Sequence, residues 1–379
     1  MTKIIYADNA ATTRLSKKAY EAMKPYLEEF HGNPSGIYGI GRDAKRTINK
    51  AREIIGKAIE AEGREIYFTG SGTESDNWAI KGVAQANMHR GKHLITTSIE
   101  HHAVLNTMKY LEKQGFEITY LPVESTGKLS LEQLKSSIRE DTILISVMAA
   151  NNEIGTILPI RDIGKLAEEK NIIFHVDGVQ AVGHIPISVS ESKIDLLSFS
   201  AHKFHGPKGV GALYIKNGIK LEPLIHGGGQ EQGLRGGTEN VAGVVGMSVA
   251  LEEAVANLPT KEFKLRPVTE MLIKGIEALP GARLTGDPLN RLPGIASFVF
   301  PGFEGNSLVH ALDTVGIICS AGSACDSGSP EPSHVLRALG MNYVEAQGAL
   351  RLSLSDENTE EEVKIIINEL SKIIEAGGE

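Results

Sequence analysis

Short apolar runs alternate with segments of helical periodicity along most of the chain. Runs such as Ile143-Leu144-Ile145 and Ile172-Ile173-Phe174 are continuously apolar, which is typical of strands buried on both faces of a parallel sheet. We predict strands at Glu65–Thr69, His93–Thr97, Thr142–Met148, Ile172–Val176, Ile194–Phe199 and Val210–Ile215, with helices between them at Asp76–Met88, Ala103–Gln114, Leu131–Arg139 and Ile163–Lys170. This succession predicts an α/β domain with right-handed crossovers and helices on both sheet faces.

The pattern changes after Asn257-Leu258-Pro259-Thr260. The predicted elements that follow are a helix at Phe263–Leu279, a strand at Ile295–Phe300, a helix at Asn306–Val315, a strand at Leu350–Leu354 and a final helix. A capping box of Thr359 and Glu362 marks the start of that final helix. We therefore predict a large α/β domain at residues 12–257 and a small α+β domain formed by residues 1–11 and 258–379.

Composition narrows the class of protein. With 379 residues the chain is long enough for about two domains, and 47 acidic against 39 basic residues give a formal charge of −8, which disfavours binding to nucleic acid. The N-terminal residues lack the pattern of a signal peptide, and no apolar run approaches the roughly 18 residues needed to span a membrane. Two cysteines do not make a disulfide framework. We expect a soluble cytoplasmic protein.

A glycine-rich turn at Phe68–Ser75 (FTGSGTES) joins a predicted strand to a helix. Such a turn directs backbone N–H groups and the helix dipole at an anion, which predicts a phosphate site. It lacks the lysine of a P-loop and the spacing of a dinucleotide fingerprint. The alternative is a strand–helix turn that needs glycine only for its backbone.

Lys203 and Asp177 each follow a predicted strand of the sheet, where ligands bind in open α/β folds. A lysine at this edge could form a Schiff base with a carbonyl ligand, although most lysines are simply solvated. A buried carboxylate needs a partner, and a pyridinium N–H would be one. The alternative for Asp177 is a helix N-cap.

The two cysteines differ in their surroundings. Cys319 follows the apolar run Val315–Ile318 and is expected to be a small buried hydrophobic residue. Cys325 lies within Ser320–Ser329, a run of almost wholly small residues that predicts a loop. An exposed thiol there could transfer a group between two partners, whereas the neighbouring Asp326 should raise its pKa.

Ten motifs, in order along nearly the whole chain, resemble those of the NifS/IscS-type cysteine desulfurases, which are fold-type I, class V aminotransferase-like pyridoxal phosphate enzymes. The motifs are YADNAATT (Tyr6–Thr13), HGNPS (His31–Ser35), FTGSGTESDN (Phe68–Asn77), EHHAVL (Glu100–Leu105), NNEIGT (Asn151–Thr156), HVDGVQ (His175–Gln180), SFSAHKFHGPKG (Ser198–Gly209), GLRGGTEN (Gly233–Asn240), SAGSACDSGSPEPSHVLRALG (Ser320–Gly340) and LRLSL (Leu350–Leu354). The resemblance implies a fold-type I transferase with a mostly parallel, seven-stranded sheet.

The resemblance also implies roles for individual residues. Lys203 would hold the cofactor and remove the Cα proton of L-cysteine. His101 would stack on the pyridine ring and, as a catalytic residue, shuttle protons. Asp177 would pair with the ring nitrogen and Gln180 with the phenolic oxygen. Phosphate ligands would be Gly72, Thr73, Ser200 and His202, with Thr238 from the second subunit of a homodimer. Arg351 and Asn152 would bind the substrate carboxylate, with Asn33 as a weaker candidate.

Cys325 would accept the sulfur as a persulfide, leaving alanine as the product. The length of its loop is similar to that of desulfurases that hand sulfur to an iron–sulfur scaffold protein, where Cys325 could transiently ligate a cluster. The sulfur acceptor stays open. Three departures from the family pattern are Gly236 and Ala321, which replace serine, and Asp326, which replaces threonine or serine.

Two other functions remain open at this point. Another class V enzyme, such as a selenocysteine lyase or an aminotransferase, would use Lys203 and Asp177 without Cys325. A metal-binding protein could use the chain's histidines, although their spacing is not a usual zinc pattern. An inactive relative that keeps the fold would retain fewer of the site residues.

Overall fold

The structure, a computed structural model, describes residues 4–322 and 331–377. Twelve strands are assigned within these ranges. They are β1 (Ile5–Tyr6), β2 (Ile66–Thr69), β3 (His93–Thr97), β4 (Glu117–Leu121), β5 (Thr142–Met148), β6 (Ile173–Asp177), β7 (Leu196–Ser200), β8 (Gly211–Ile215), β9 (Arg283–Leu284), β10 (Ile295–Val299), β11 (Ile317–Ile318) and β12 (Ala349–Ser353).

The same ranges contain twelve α-helices. They are α1 (Lys17–Glu28), α2 (Gly39–Ala58), α3 (Gly72–Asn87), α4 (His102–Glu112), α5 (Leu131–Ser137), α6 (Ile160–Glu169), α7 (Val241–Ala256), α8 (Leu258–Glu277), α9 (Gly305–Thr314), α10 (His334–Ala338), α11 (Tyr343–Gln347) and α12 (Glu360–Gly377). No single helix of the described part is both long and apolar enough to cross a membrane; only α7 and α8 together, bent by 69°, meet that requirement of length and composition.

Seven strands form the central sheet in the order β2-β8-β7-β6-β5-β3-β4. Strand β8 runs antiparallel to both of its neighbours, whereas the other pairs are parallel. Every residue of β5 and β6 is buried, as the continuously apolar runs predict. The predicted fold, a mostly parallel seven-stranded sheet flanked by helices, is confirmed.

A second core lies beside this sheet. Strands β12, β10 and β9 form an antiparallel sheet, and β1 pairs with β11 in parallel. The apolar cluster that covers them combines Ile5 with residues from the C-terminal part, among them Phe298, Leu350 and Ile374. This grouping supports the division into residues 12–257 and a small domain of 1–11 with 258–379, which stays a prediction.

Helix α12 begins as its sequence predicts. The N–H of Glu362 lies 3.2 Å from Thr359 Oγ1, and the N–H of Thr359 lies 3.3 Å from Glu362 Oε2. Its residues Val363, Ile366 and Leu370 are buried. The capping box therefore sets the register in which the apolar side of the helix meets the second core.

Candidate active site

A cavity of about 180 Å³ lies where β5, β6 and β7 end and α3 begins. This is the edge at which ligands bind in open α/β sheets. Ten of the predicted site residues line it, namely Gly72, Thr73, His101, Asn152, Asp177, Gln180, Ser200, His202, Lys203 and Arg351. Residues from distant parts of the chain are thus brought to one place.

Lys203 ends a single 3₁₀ turn, Ala201–Lys203, directly after β7. Its Nζ donates hydrogen bonds to the carbonyl oxygens of Ala10, at 2.6 Å, and Ala11, at 3.0 Å. The N-terminal segment therefore holds the amine at the cavity wall. No property of the sequence predicts this contact, because every residue carries a backbone carbonyl.

The N-terminal segment is itself fixed to the motif that carries Lys203. The backbone N–H of Thr13 donates to the carbonyl of His202 at 2.9 Å, and His202 Nδ1 lies 3.1 Å from Thr12 Oγ1. Burial, together with the positive charge of Lys203, lowers the pKa of His202 to about 4. A neutral imidazole at this position can act as a hydrogen-bond donor without adding charge.

Helix α3 points its N-terminus at the cavity. Ser71 caps it by accepting a hydrogen bond from the N–H of Glu74 at 3.1 Å. A side chain at Gly72 would bring its Cβ within 2.5 Å of Val179 Cγ2, so glycine allows the helix to approach that residue. The first N–H groups of a helix lack partners within the helix and attract anions.

Asp177 is buried at the end of β6, with 5% of its surface exposed. Its Oδ1 accepts a hydrogen bond from the N–H of Val179 at 2.9 Å, and no α-helix begins at this position. Burial raises the pKa of Asp177 to about 6, opposed by the Val179 hydrogen bond and the charge of Lys203. A cationic ring N–H would stabilise the ionised form further.

Two more buried carboxyl groups accompany Asp177. Asp76 also lines the cavity, and burial followed by the charge of Asp177 raises its pKa well above the ordinary value. Glu100 is fully buried, which raises its pKa to about 8. Both residues lie in motifs quoted above, but nothing in their spacing identified them as buried acids.

His175 lies two residues before Asp177 on β6, and both of its ring nitrogens are hydrogen-bonded. Nδ1 is 2.8 Å from Ser146 Oγ and Nε2 is 2.9 Å from Ser198 Oγ. Burial lowers the pKa of His175 to about 3, so the ring is neutral. Among the described residues, no group of three or more His, Cys, Asp or Glu side chains is arranged to hold a metal ion.

Arg351 lies on β12 and is almost fully buried. Nη1 donates to the carbonyl of Asn152 at 2.9 Å, and Nη2 donates to Asp8 Oδ1 at 2.8 Å. Its Nε has no hydrogen-bond partner within the described ranges. Sequence reasoning identified Arg351 and Asn152 but missed Asp8, which lies in the first motif.

His101 caps α4 from the cavity side. Its Nδ1 accepts a hydrogen bond from the N–H of Ala103 at 3.1 Å. In a neutral ring the proton therefore lies on Nε2, which leaves that nitrogen as a donor. The cap fixes the position of the ring against the start of the helix.

Two predicted site residues that the structure describes lie away from the cavity, and a third falls outside the described residues. Asn33 and Thr238 are exposed, and neither lines the cavity of this chain; Asn33 Oδ1 instead accepts from the N–H of Ser35 at 2.9 Å. Cys325 and Asp326, with the rest of residues 323–330, lie outside the described residues. Cys319 is buried, as predicted, and burial raises its pKa to about 12.

One departure from the family pattern has a steric reason. A Cβ at Gly236 would lie 2.6 Å from Gly227 Cα and 2.8 Å from Gly227 N. The backbone N–H of Gly236 also donates to the carbonyl of Ile225 at 3.0 Å. The two backbone segments are therefore too close for the serine that the family pattern has at this position.

The comparisons with known proteins agree with this geometry. The family model described as aminotransferase class-V matches residues 5–366. A cysteine desulfurase IscS of Clostridium botulinum strain Hall is 53% identical over 377 residues, which cover 99% of this chain and 95% of the relative. The chain belongs to the class-V family, among the cysteine desulfurases. A cysteine desulfurase IscS of Methanosarcina thermophila is 52% identical and matches over 98% of this chain and 92% of the relative.

Solved structures of the family share the whole architecture. A NifS-like protein superposes with a TM-score of 0.93 at 43% identity, over 99% of this chain and 100% of the other. A structure of SspA in complex with cysteine has a TM-score of 0.83 at 39% identity, and the match covers 93% of this chain and 99% of the other. The predicted family and its dependence on pyridoxal 5′-phosphate are confirmed.

The cavity residues fit this cofactor. The start of α3, the hydroxyl of Ser200 and the neutral ring of His202 suit a phosphate, and Asp177 suits a protonated ring nitrogen. Gln180 Oε1 is buried without a hydrogen-bond partner in the described part of the chain. A buried polar atom of this kind indicates a ligand that completes its hydrogen bonds.

Proposed function

We propose that the chain is a cysteine desulfurase that converts L-cysteine to L-alanine and keeps the sulfur as a persulfide on Cys325. The observation that carries the proposal is the meeting of Lys203, Asp177 and the start of α3 at one cavity. The likeness to desulfurases over almost the full length supports the same reaction.

The cofactor, when bound, supplies an electron sink for negative charge at Cα of the amino acid. Lys203 acts as the general base that removes the Cα proton, since its amine lies at the cavity wall. Asp177 would hold the proton on the ring nitrogen of the bound cofactor, and His101 presents Nε2–H at the same cavity. Gln180 would meet the phenolic oxygen with its side-chain amide. Because the oxygen and nitrogen ends of an amide have nearly the same shape, a turn of about 180° places the N–H₂ end there as the donor.

The phosphate of the cofactor would be held by Gly72 and Thr73 at the start of α3, and by Ser200 and His202. We assign the remaining phosphate contact to Thr238 of a second copy, because Thr238 is exposed and does not line this chain's own cavity. The complete site is then a property of a homodimer.

The substrate carboxylate is bound by Arg351, because a planar guanidinium matches a carboxylate with two parallel hydrogen bonds. Asn152 fixes the arginine through its backbone carbonyl and offers its side-chain amide to the same carboxylate. Asn33 is the weaker candidate, since its side chain is engaged in its own turn.

The Cys325 thiolate attacks the substrate sulfur, and the Cβ–S bond breaks. The sulfur stays on Cys325 as a persulfide, and the carbon that loses it takes up a proton. We place the enzyme in the cytoplasm and propose an iron–sulfur scaffold or another sulfur-accepting protein as the partner that removes the persulfide sulfur.

The decisive experiment is incubation with L-cysteine in two arms: Cys325 is examined by mass spectrometry without added reductant, and alanine and sulfide are measured together with dithiothreitol, which reduces the persulfide. We expect alanine in stoichiometric relation to sulfur and a mass gain of one sulfur atom at Cys325. Cys325→Ala should abolish sulfide release, whereas an aminotransferase would be indifferent to the change. Lys203→Ala should lower turnover by about 10³-fold or more, and Lys208→Ala, at an exposed lysine of the same motif, is the matched control.

A further inference from the structure

A chain of hydrogen bonds outside the cavity ends on the backbone of Lys203. His184 Nε2 lies 2.8 Å from the carbonyl oxygen of Lys203. His184 Nδ1 lies 3.1 Å from Nζ of Lys261. Neither His184 nor Lys261 lines the cavity, and neither belongs to a motif that the resemblance identified.

The two contacts together determine where the proton of His184 lies. A backbone carbonyl only accepts, so Nε2 must carry the hydrogen that it shares with Lys203. An ammonium group only donates, so Nδ1 must accept from Lys261. Burial and the charge of Lys261 hold the pKa of His184 well below its ordinary value, which leaves a neutral ring. Lys261 thereby selects the one tautomer that can donate to Lys203.

Lys261 is an unusual residue to find in this position. It lies in the first turn of α8 with only 6% of its surface exposed, and burial lowers its pKa. Burying an amine costs free energy unless it gains a partner. Its contact with His184 supplies such a partner, and the charge of Asp356 also favours the ammonium form. Lys261 and Asp356 both line a cleft between α1 and the junction of α7 with α8.

The turn that carries Lys203 is tied to other segments at the two residues before the lysine: the N–H of Ala201 donates to the carbonyl of Val210 at 3.2 Å, and the carbonyl of His202 accepts from the N–H of Thr13 at 2.9 Å. It is a 3₁₀ turn of three residues, closed by bonds from the N–H groups of Phe204, at 3.1 Å, and Gly206, at 2.8 Å, to the carbonyl of Ala201. His205 then adopts a left-handed backbone with φ of 66°. A contact to the carbonyl of Lys203 therefore restricts the part of the backbone from which the reactive side chain extends.

We propose that His184 and Lys261 are positioning residues that hold the backbone of Lys203, so that its amine meets the Cα proton in the correct geometry. This rests on the proposed function, in which Lys203 is the general base. A displacement of about 1 Å at a reacting group can cost about 10²-fold in rate. Neither residue touches the substrate, so replacing either one should slow proton removal without weakening substrate binding.

The first test uses kcat, KM and the isotope effect for Cα-deuterated cysteine. His184→Ala and Lys261→Met should each lower kcat by about tenfold with KM unchanged. The isotope effect on kcat should rise, because proton removal becomes slower relative to the other steps. His184→Gln should restore much of the rate, since its amide nitrogen can donate to the same carbonyl. Variants that merely contain less folded enzyme would keep the wild-type isotope effect, and that result would overturn the proposal.

The second test does not depend on activity. Hydrogen exchange in the cofactor-loaded protein should become about tenfold faster at the amides of Phe204 and Gly206 in His184→Ala and Lys261→Met. His89→Ala and Lys264→Met, which change exposed residues, are the matched controls and should exchange as wild type. Unchanged exchange in both variants would contradict the positioning role even if cysteine is not the substrate. Failure of the wild type to release alanine would instead contradict the proposed function.

Discussion

Arg351 and Asp8 form an ion pair at the wall of the candidate active site, with 2.8 Å between Nη2 and Oδ1. The arginine side chain is 1% exposed and that of Asp8 is 14% exposed. Because the carbonyl of Asn152 binds the other terminal nitrogen, two groups fix the plane of the guanidinium before any substrate binds. Under the proposed function, a substrate carboxylate would therefore meet an arginine that is already oriented.

This arrangement predicts the effect of Arg351→Lys. Lysine keeps a positive charge beside Asp8 but lacks the planar pair of donors, so we expect KM for L-cysteine to rise about tenfold or more with a smaller change in kcat. Steady-state kinetics measures both values. Arg337→Lys, at an exposed position, should change neither, and an unaltered KM in Arg351→Lys would exclude Arg351 as the carboxylate ligand.

Glu100 predicts a particular dependence of stability on pH. Its pKa is about 8 in the folded chain against an ordinary value of 4.5, so folding retains a proton that the unfolded chain releases between these values. Its contribution to stability is therefore complete below about pH 4.5 and is lost as the pH rises through about 8. Glu100→Gln imitates the protonated acid and should reduce this loss, although Asp76 and Asp177 still titrate.

The measurement is the free energy of unfolding of the cofactor-loaded protein in urea at about pH 5 and about pH 8. At the higher pH we expect the free energy of unfolding of Glu100→Gln to exceed that of wild type by about 2 kcal/mol or more. One pKa unit corresponds to about 1.4 kcal/mol. Glu132→Gln, on the exposed side of α5, should follow the wild-type curve. Parallel curves for Glu100→Gln and wild type would contradict the raised pKa.

Burial of Cys319 predicts a protected thiol. Its pKa of about 12 leaves almost no thiolate at neutral pH, and the thiolate is the reactive form. In a Cys325→Ala variant, where Cys319 is the remaining cysteine, iodoacetamide should react about a hundredfold more slowly with the native protein than with the unfolded chain. Mass spectrometry over time measures both rates; similar rates would show that the thiol is accessible.

The capping box of α12 predicts a loss of stability in Thr359→Ala. The variant leaves the N–H of Glu362 without its side-chain acceptor, at a cost of about 1 kcal/mol in the free energy of unfolding. Lys364→Ala changes an exposed residue of the same helix and should stay within about 0.5 kcal/mol of wild type. Equal stability of the two variants would mean that the cap contributes nothing.

The buried strands could be predicted from sequence because apolar runs such as Ile143–Ile145 dominate them, although polar residues such as Ser146 and His175 also lie within them. The bounds of β3 and β5 agree with the prediction. Strand β4 was missed because it lies at the sheet edge, where only Leu121 is buried. Helix α7 was missed because it is buried between other helices. It lacks the polar face whose alternation with an apolar face indicates a helix in the sequence.

The site was predicted through motifs, which identify residues but not their contacts. Asp8 and Arg351 are 343 positions apart, so no spacing rule connects them. His184 and Lys261 carry no motif, and their role depends on which ring nitrogen meets which neighbour. Main-chain acceptors such as the carbonyl of Ala10 have no sequence signal. These relationships arise only from the tertiary fold.

The segment that holds the amine of Lys203 also binds near the other end of the chain. The N–H of Asn9 donates to the carbonyl of Ser353 at 3.0 Å, and the N–H of Ser353 donates to the carbonyl of Ala7 at 2.7 Å. During synthesis, residues 7–9 must therefore wait for Ser353, made 344 positions after Asn9, before this wall of the pocket is closed. A nascent chain that has not yet reached β12 cannot assemble the complete pocket, so stable loading with cofactor has to follow the synthesis of that strand.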